Sequence, residues 1–258
     1  MDRPKADSVL LFSGLDPSGA AGISADIETI NQFGLSPHPI ITTLTAQNTQ
    51  RVESIEVVKN SLLDQQFNLI VEDISINTVK IGLLGSASQI KTISRLISKI
   101  NPVNVIVDPI LISGTQENLS SIKMIQAMKK YLFPKSLLLT PNLEELNLLA
   151  PGLTEQEAVK SLNCPWILVT TSDSSKIDIE HRLYNKSTLV RKFKYKKIPG
   201  KFHGSGCTLS SAISALLVKG ADIEEACDQG LAYTYQCLLN AKKLGKMQYH
   251  PIRTPYKP

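Results

Sequence analysis

Residues 8–33, SVLLFSGLDPSGAAGISADIETINQF, run from an apolar segment through a glycine turn into a segment with helical spacing. The first six are apolar on both alternating faces, which is the pattern of a parallel strand buried on both sides. Three glycines and a proline follow, and a helix is expected over about 20–33. Glycines at a strand–helix junction let backbone come close to a ligand or to packed neighbours. The spacing matches neither the G-x-G-x-x-G dinucleotide fingerprint nor a phosphate loop ending in GK[ST].

The same rhythm continues along the chain. Residues 40–46, 78–84, 103–109, 136–142 and 166–171 read as further Val/Ile/Leu-rich strands. Helical spacing is expected near 60–72, 87–100, 118–132, 154–163, 207–219 and 222–243, with Asp222 and Glu225 at capping-box spacing. Alternation of this kind specifies an α/β fold, with a mostly parallel central sheet and helices on both faces. Residues 179–198 break the pattern and read as an edge hairpin turning around 185–187. No repeat, linker or low-complexity tract divides the chain, so residues 1–258 read as one domain.

Composition narrows the class. The net charge of +5 is spread out, and its densest run, RKFKYKK at 191–197, alternates with aromatics as a strand with one solvated basic face does; nucleic-acid binding is not expected. Four scattered cysteines without a CxxC pair suit a reducing compartment and give no zinc spacing. No signal peptide or membrane anchor is read in the first residues, and a cytoplasmic location with no membrane partner is expected.

In open α/β sheets, ligands bind beyond the carboxyl ends of the strands. The residues placed there are the glycine turn with Asp26 one turn into its helix, the amides of AQN ending at Asn48, Asp108 before Pro109, and TPNLEE with Asn142 and Glu145. Asp108 has the usual place of a carboxylate facing magnesium or phosphate. Asn142 and Glu145 are three residues apart and can face one ligand, or cap a helix. The segment KFHGSGCTLSSAISALLVKG, 201–220, puts Cys207 after a Gly-Ser-Gly turn at the mouth of an apolar helix that Gly220 closes. Free backbone N–H groups of Gly204, Ser205, Gly206 and Cys207 suit an anion, and the helix N-terminus is expected to lower the thiol pKa. These residues together point to phosphoryl transfer or phosphate binding, without fixing a substrate.

Six segments, GLDPSGAAGISADI, TTLTAQNT, VKIGLLGS, VIVDP, TPNLEEL and HGSGCTLSSAI, occur in an order that resembles the hydroxymethylpyrimidine/phosphomethylpyrimidine kinases of thiamine biosynthesis, within the ribokinase-like superfamily. The resemblance spans about residues 8–238. It implies phosphorylation of 4-amino-5-hydroxymethyl-2-methylpyrimidine by ATP and Mg²⁺, then of the monophosphate to the diphosphate. It also implies that Asp26 and Gln47 meet the aminopyrimidine, with Gly14, Ala21, Thr45, Leu83 and Ile110 around the ring. Cys207 matches the cysteine closing the family's anion hole. Asp108 would lie near Mg²⁺ and phosphates; Asn142 and Glu145 match the family's N-x-x-E element, with Glu145 a second candidate toward the metal and Thr170 beside the nucleotide. A homodimer is the family habit. A pyridoxal kinase of the same cysteine-bearing type and a non-catalytic pyrimidine-binding relative are the alternatives. The chain departs from the family where Lys-Gly-Gly-His is replaced by Thr170, Thr171, Ser172 and Asp173, where Ser-Gly-Asp is replaced by Thr115, Gln116 and Glu117, and where Phe202 replaces a threonine. Lys176 and Lys201 are the candidates to restore the missing charge, and segments 113–118 and 199–206 are the candidate lids.

Overall fold

β1 (Ser8–Leu15) is the axis of the molecule. Its Val9 and Leu11 pack into one core, and Leu10 and Phe12 into another on the opposite face, as strand alternation requires. The computed structural model describes residues 7–111, 119–171 and 177–255. Among these, β1 is followed by α1 (Gly22–Gln32), β2 (Ser36–Gln47), β3 (Val52–Val57), α2 (Asn60–Asp73), β4 (Thr78–Ile81), α3 (Ala87–Ile100) and β5 (Asn104–Val107). Then come α4 (Ile122–Ala127), β6 (Leu138–Leu139), α5 (Leu143–Leu149), α6 (Glu155–Ser161), β7 (Trp166–Val169), β8 (Asp178–Asn185), β9 (Thr188–Lys196), α7 (Ser205–Val218) and α8 (Ile223–Leu239).

The strands form one sheet in the order β3-β2-β1-β4-β5-β6-β7-β8-β9. β2, β1, β4, β5, β6 and β7 are parallel, so their carboxyl ends share one edge. At the flanks β3 and β8 run against the central strands, and β9 pairs antiparallel with β8. The chain leaves β1 toward β2 on one side and returns on the other side as β4. That reversal opens a crevice between the β1 and β4 ends, the usual ligand position in such sheets. Residues of α1, α7 and α8 cover one face, and residues of α2 to α6 the other.

The α/β reading holds, and several boundaries move. β3, Val52–Val57, was not expected: its acidic VESIEV, half of it exposed and none of it buried, resembles a loop. Of the strand expected over 136–142 only Leu138–Leu139 forms a strand, with an isolated bridge at Asn142, and the chain then enters α5, which was foreseen only as a helix that Asn142 could cap. The helix expected over 118–132 is α4 followed by a π turn at Met128–Leu132. The hairpin is real, and Lys186 and Ser187 both have positive φ (45° and 70°), which a tight two-residue turn demands. The exposed Lys192, Lys194 and Lys196 of β9 alternate with buried Phe193 and half-buried Tyr195 and guard that edge against further pairing. At its C-terminus α7 closes on Gly220 (φ 97°), with Gly220 N–H donating to Leu217 and Ala221 N–H to Leu216, the pattern a glycine after a helix provides.

Candidate active site

Two glycine turns meet at the crevice. In the first, after β1, Asp16 accepts hydrogen bonds from Ser18 N–H (2.8 Å), Ser18 Oγ (2.9 Å) and Ala21 N–H (3.1 Å), which folds the turn around one carboxylate. Gly22 closes it at φ 60°; a Cβ there would stand 2.3 Å from the carbonyl oxygen of Gly14. The second turn leads into α7 through Gly204 (φ 87°), where a Cβ would stand 1.9 Å from the carbonyl oxygen of Ala20. His203 Nε2 reaches Asp16 Oδ2 at 2.9 Å. Burial pushes the Asp16 pKa up, but the hydrogen bond and charge of His203, with Gln47 and Ser18, hold it well below the usual carboxylate range.

Arg253 fastens this junction from the C-terminal segment. Its guanidinium donates to the Ala20 carbonyl (2.6 Å), to Thr208 Oγ1 (3.0 Å) and to Glu28 Oε2 (2.9 Å). One side chain thereby ties the first turn, α1 and α7 together.

The N-terminus of α7 has no side-chain cap. Ser205, Gly206 and Cys207 therefore present backbone N–H groups with no acceptor inside the helix. Gly206 is exposed and faces Asp108: a Cβ on it would stand 3.4 Å from Oδ2. Asp108 follows β5, is 3% exposed, and accepts from Ser210 Oγ (3.4 Å) and Thr140 Oγ1 (3.5 Å). The structure thus brings together Gly204, Ser205, Gly206, Cys207 and Asp108. Cys207 packs with Ala21, Ala25 and Ile110.

The thiol differs from its sequence reading. Burial pushes the Cys207 pKa up to about 12, and the pull of Lys80 and a hydrogen bond from the Gly22 backbone do not reverse that. A helix N-terminus lowers a thiol pKa where water reaches the sulfur; Cys207 is 5% exposed. It is a neutral thiol.

Asn142 and Glu145 form a full capping box on α5: Glu145 N–H donates to Asn142 Oδ1 (2.8 Å), and Asn142 N–H to Glu145 Oε2 (2.9 Å). Glu145 is buried rather than solvated, and it also accepts from Leu111 N–H at 3.5 Å. Burial, then the neighbouring Asp108, raises its pKa; burial likewise raises that of Asp108, against the pull of Lys80. Thr170, after β7, bridges to Asn142 and accepts from Leu143 N–H (3.1 Å).

Of the residues expected around a ring, Gly14, Thr45, Gln47 and Leu83 stand at the β1–β2–β4 ends, whereas Ala21 and Ile110 pack with Cys207. Gly14 lies against Leu83 and Thr43, and a Cβ on it would stand 2.4 Å from Thr43 Oγ1. Thr45 Oγ1 donates to Leu15 O (2.8 Å). Gln47 is half-buried at the end of β2 and bonds to Asp16.

Asp26 is placed otherwise than expected. It exposes no surface; Lys80 Nζ donates to both its oxygens (2.8 and 2.9 Å), and Ser211 Oγ to Oδ1 (2.9 Å). It stands behind the site wall, closed to direct contact with a ring. Lys80, Ser211, Asp16, His203 and Arg253 were all missed in the sequence. A signal existed for Lys80: a lysine inside a strand buried on both faces must be paired. Thr115, Gln116, Glu117, Ser172, Asp173, Lys176 and the 113–118 candidate lid lie outside the described residues. Lys201 is exposed, and Phe202 packs against Tyr249 at 5.7 Å between ring centroids.

Comparison with known proteins matches this geometry to a family. A hydroxymethylpyrimidine/phosphomethylpyrimidine kinase of Mycobacterium bovis is 31% identical over 248 residues, covering 92% of this chain and 90% of that protein. The crystal structure of a phosphomethylpyrimidine kinase from Clostridium difficile superposes with a TM-score of 0.75 at 30% identity, over 88% of this chain and 97% of that one. An ADP complex of Bacillus subtilis pyridoxal kinase shares the fold, with a TM-score of 0.87 at 23% identity over 96% and 97% of the two chains. The family model described as phosphomethylpyrimidine kinase matches residues 16–253, from the carboxylate that folds the first turn to the arginine that fastens it. The chain belongs to the phosphomethylpyrimidine kinase family and is a phosphotransferase.

Proposed function

We propose that the protein transfers the terminal phosphoryl group of ATP to the hydroxymethyl oxygen of 4-amino-5-hydroxymethyl-2-methylpyrimidine, and a second one to the monophosphate so formed, supplying thiamine biosynthesis. The observation that carries this reading is the uncapped N-terminus of α7 at Ser205–Val218 standing over the buried Asp108. Phosphoryl transfer passes through a loose transition state, so positioning and charge neutralisation matter more than a strong base. The new oxygen–phosphorus bond forms as the bond to the β-phosphate oxygen breaks, and the hydroxyl proton leaves to a phosphoryl oxygen or to water. Backbone N–H groups of Ser205, Gly206 and Cys207 hold the developing charge. The neutral Cys207 thiol fills the wall beneath them and takes no proton.

Gln47, Thr45, Gly14, Ala21, Leu83 and Ile110 would surround the ring, the Gln47 amide offering donor and acceptor to its polar edge. Asn142 and Thr170 would border the nucleotide. Asp108 and Glu145 are buried hard-oxygen acids, with Asp108 adding to the burial that raises the Glu145 pKa, and such a pair fits a divalent cation. No three His, Cys, Asp or Glu side chains converge among the described residues, so Mg²⁺ would arrive with ATP and take at most these carboxylates. It would supply charge neutralisation on the phosphates. Residues 1–258 acting as a single kinase domain, a homodimeric state and a cytoplasmic location complete the proposal. Among the described residues no helix is long and apolar enough to cross a membrane.

The test is ADP release by the purified protein with ATP, Mg²⁺ and, separately, the hydroxymethylpyrimidine, its monophosphate and pyridoxal. Turnover of both pyrimidines supports the reading. Preference for pyridoxal, or pyrimidine binding without ADP release, overturns it. Light scattering reads the oligomeric state in the same preparation.

A further inference from the structure

Among the described residues only Lys80 and Arg253 bury a lysine or arginine. Arg253 spends its donors on Glu28, Ala20 and Thr208. Lys80 projects from β4, beneath the crevice, and its ammonium occupies room left by Gly82, where a Cβ would stand 2.9 Å from Nζ. It meets Asp26 with both side chains at zero exposure.

The layout on the two helices is parallel. Gly22 and Asp26 are one turn apart on α1; Cys207 and Ser211 are one turn apart on α7. Gly22 N–H reaches the Cys207 sulfur, and Ser211 Oγ reaches Asp26. The ion pair therefore forms a layer one turn below the anion turn, joined to it through both helices. Ser210, next to Ser211 on α7, donates to Asp108 at 3.4 Å, so the ion pair and Asp108 are held by adjacent residues of one helix turn. The Lys80 ammonium pulls on both Asp108 and Cys207. Burial alone would lower the Lys80 pKa, but the paired Asp26 carboxylate, with Asp108 adding to it, more than reverses this and keeps the ammonium charged.

We propose that Lys80 is a positioning residue for phosphoryl transfer: held and oriented by Asp26 and Ser211, it supplies a fixed, dry positive charge under Asp108 and the α7 N-terminus, where phosphoryl charge accumulates. A charge fixed in advance costs no reorganisation when the reaction occurs and acts in a low-dielectric setting. This assigns Asp26 a part in the reaction through Lys80 rather than through the substrate ring. The proposal rests on the kinase reading above for its rate readout, and on ADP binding independently of it.

The experiment compares Lys80→Met, Asp26→Asn and the double variant Lys80→Met/Asp26→Asn. Each single change leaves one buried group unpaired and is expected to weaken the fold. The double change removes both charges and keeps the volume, which restores stability in many buried pairs. In the double variant, urea unfolding is expected near the wild-type midpoint, with kcat down about tenfold or more and pyrimidine KM within about threefold. Its affinity for ADP by calorimetry is expected to fall about tenfold. A double variant that recovers stability, turnover and ADP affinity together places the pair in the fold alone and overturns the proposal, as does one no more stable than the singles. Should wild-type protein release no ADP with any pyrimidine, the kinase reading fails, and the ADP affinities still decide for or against Lys80.

Discussion

Gly204 and Ala20 touch backbone to backbone: a methyl group on Gly204 would fall 1.9 Å from the Ala20 carbonyl oxygen, at a φ of 87°. Gly204→Ala meets both strain and a clash that no side-chain motion relieves. A loss of about 3 kcal/mol in unfolding free energy is expected, with turnover down about a hundredfold. Gly206→Ala is the contrast. Its methyl would stand 3.4 Å from Asp108 Oδ2 in an ordinary helical backbone, so stability should change by less than about 1 kcal/mol. Turnover should still fall, because the methyl covers the carboxylate. Urea titration and steady-state rates on both variants separate the two cases.

Cys207 is expected to behave as packing. With its pKa pushed up to about 12 by burial, the sulfur carries its proton throughout the working range. The pH profile of kcat/KM should show no thiol limb, and Cys207→Ala should cost about tenfold or less, since the backbone N–H remains. A loss of about ten-thousandfold would instead mark the thiol as a base.

Glu145 gives a pH signature with a definite sign. Its carboxyl pKa is raised in the fold, chiefly by burial and then by Asp108. The folded state therefore holds that proton more tightly than the unfolded chain, and stability declines as pH rises from the ordinary glutamate value through the raised one. Glu145→Gln keeps the capping geometry and cannot ionise. Thermal unfolding of the nucleotide-free variant should exceed wild type by about 1–2 kcal/mol above neutrality and lose that advantage in acid.

His181 gives the opposite slope. Burial, helped by Arg182, lowers its pKa from 6.5 to about 4, and its Nδ1 accepts from Thr171 N–H at 3.2 Å. The neutral ring is the folded form, so this contribution is intact above pH 6.5 and is lost as pH falls toward 4. The loss over that window is about 3 kcal/mol. His181→Gln should flatten the acid limb of a denaturation series; an unchanged limb would exclude His181 as its source.

What could be read from the sequence followed from periodicity. Strands apolar on both faces, such as β1 and β5, and helices with two or more turns of spacing were visible, and so the sheet and its ligand edge were too. β3 was hidden because Glu53, Ser54 and Glu56 face solvent and Val52–Val57 shows little apolar alternation. The extent of α5 was hidden by length, its seven residues offering too few turns to show a period. At the site, Asp108, Asn142 and the α7 turn were legible because each follows a recognisable strand or begins a helix. The Lys80–Asp26 pair was not, since nothing local marks which buried lysine meets which buried aspartate. The thiol misled for a related reason: the helix terminus is written in the sequence, whereas the burial that outweighs it is tertiary.

Arg253 reaches back 233 residues to the Ala20 carbonyl. In a growing polypeptide the first glycine turn would emerge from the ribosome long before the side chain that secures it. The nascent chain can build its sheet and both cores while the two turns remain unfastened, and competence for the reaction is then a late event in synthesis. Contacts so distant along the chain also form slowly, which makes the closing of this clasp a natural last step of refolding.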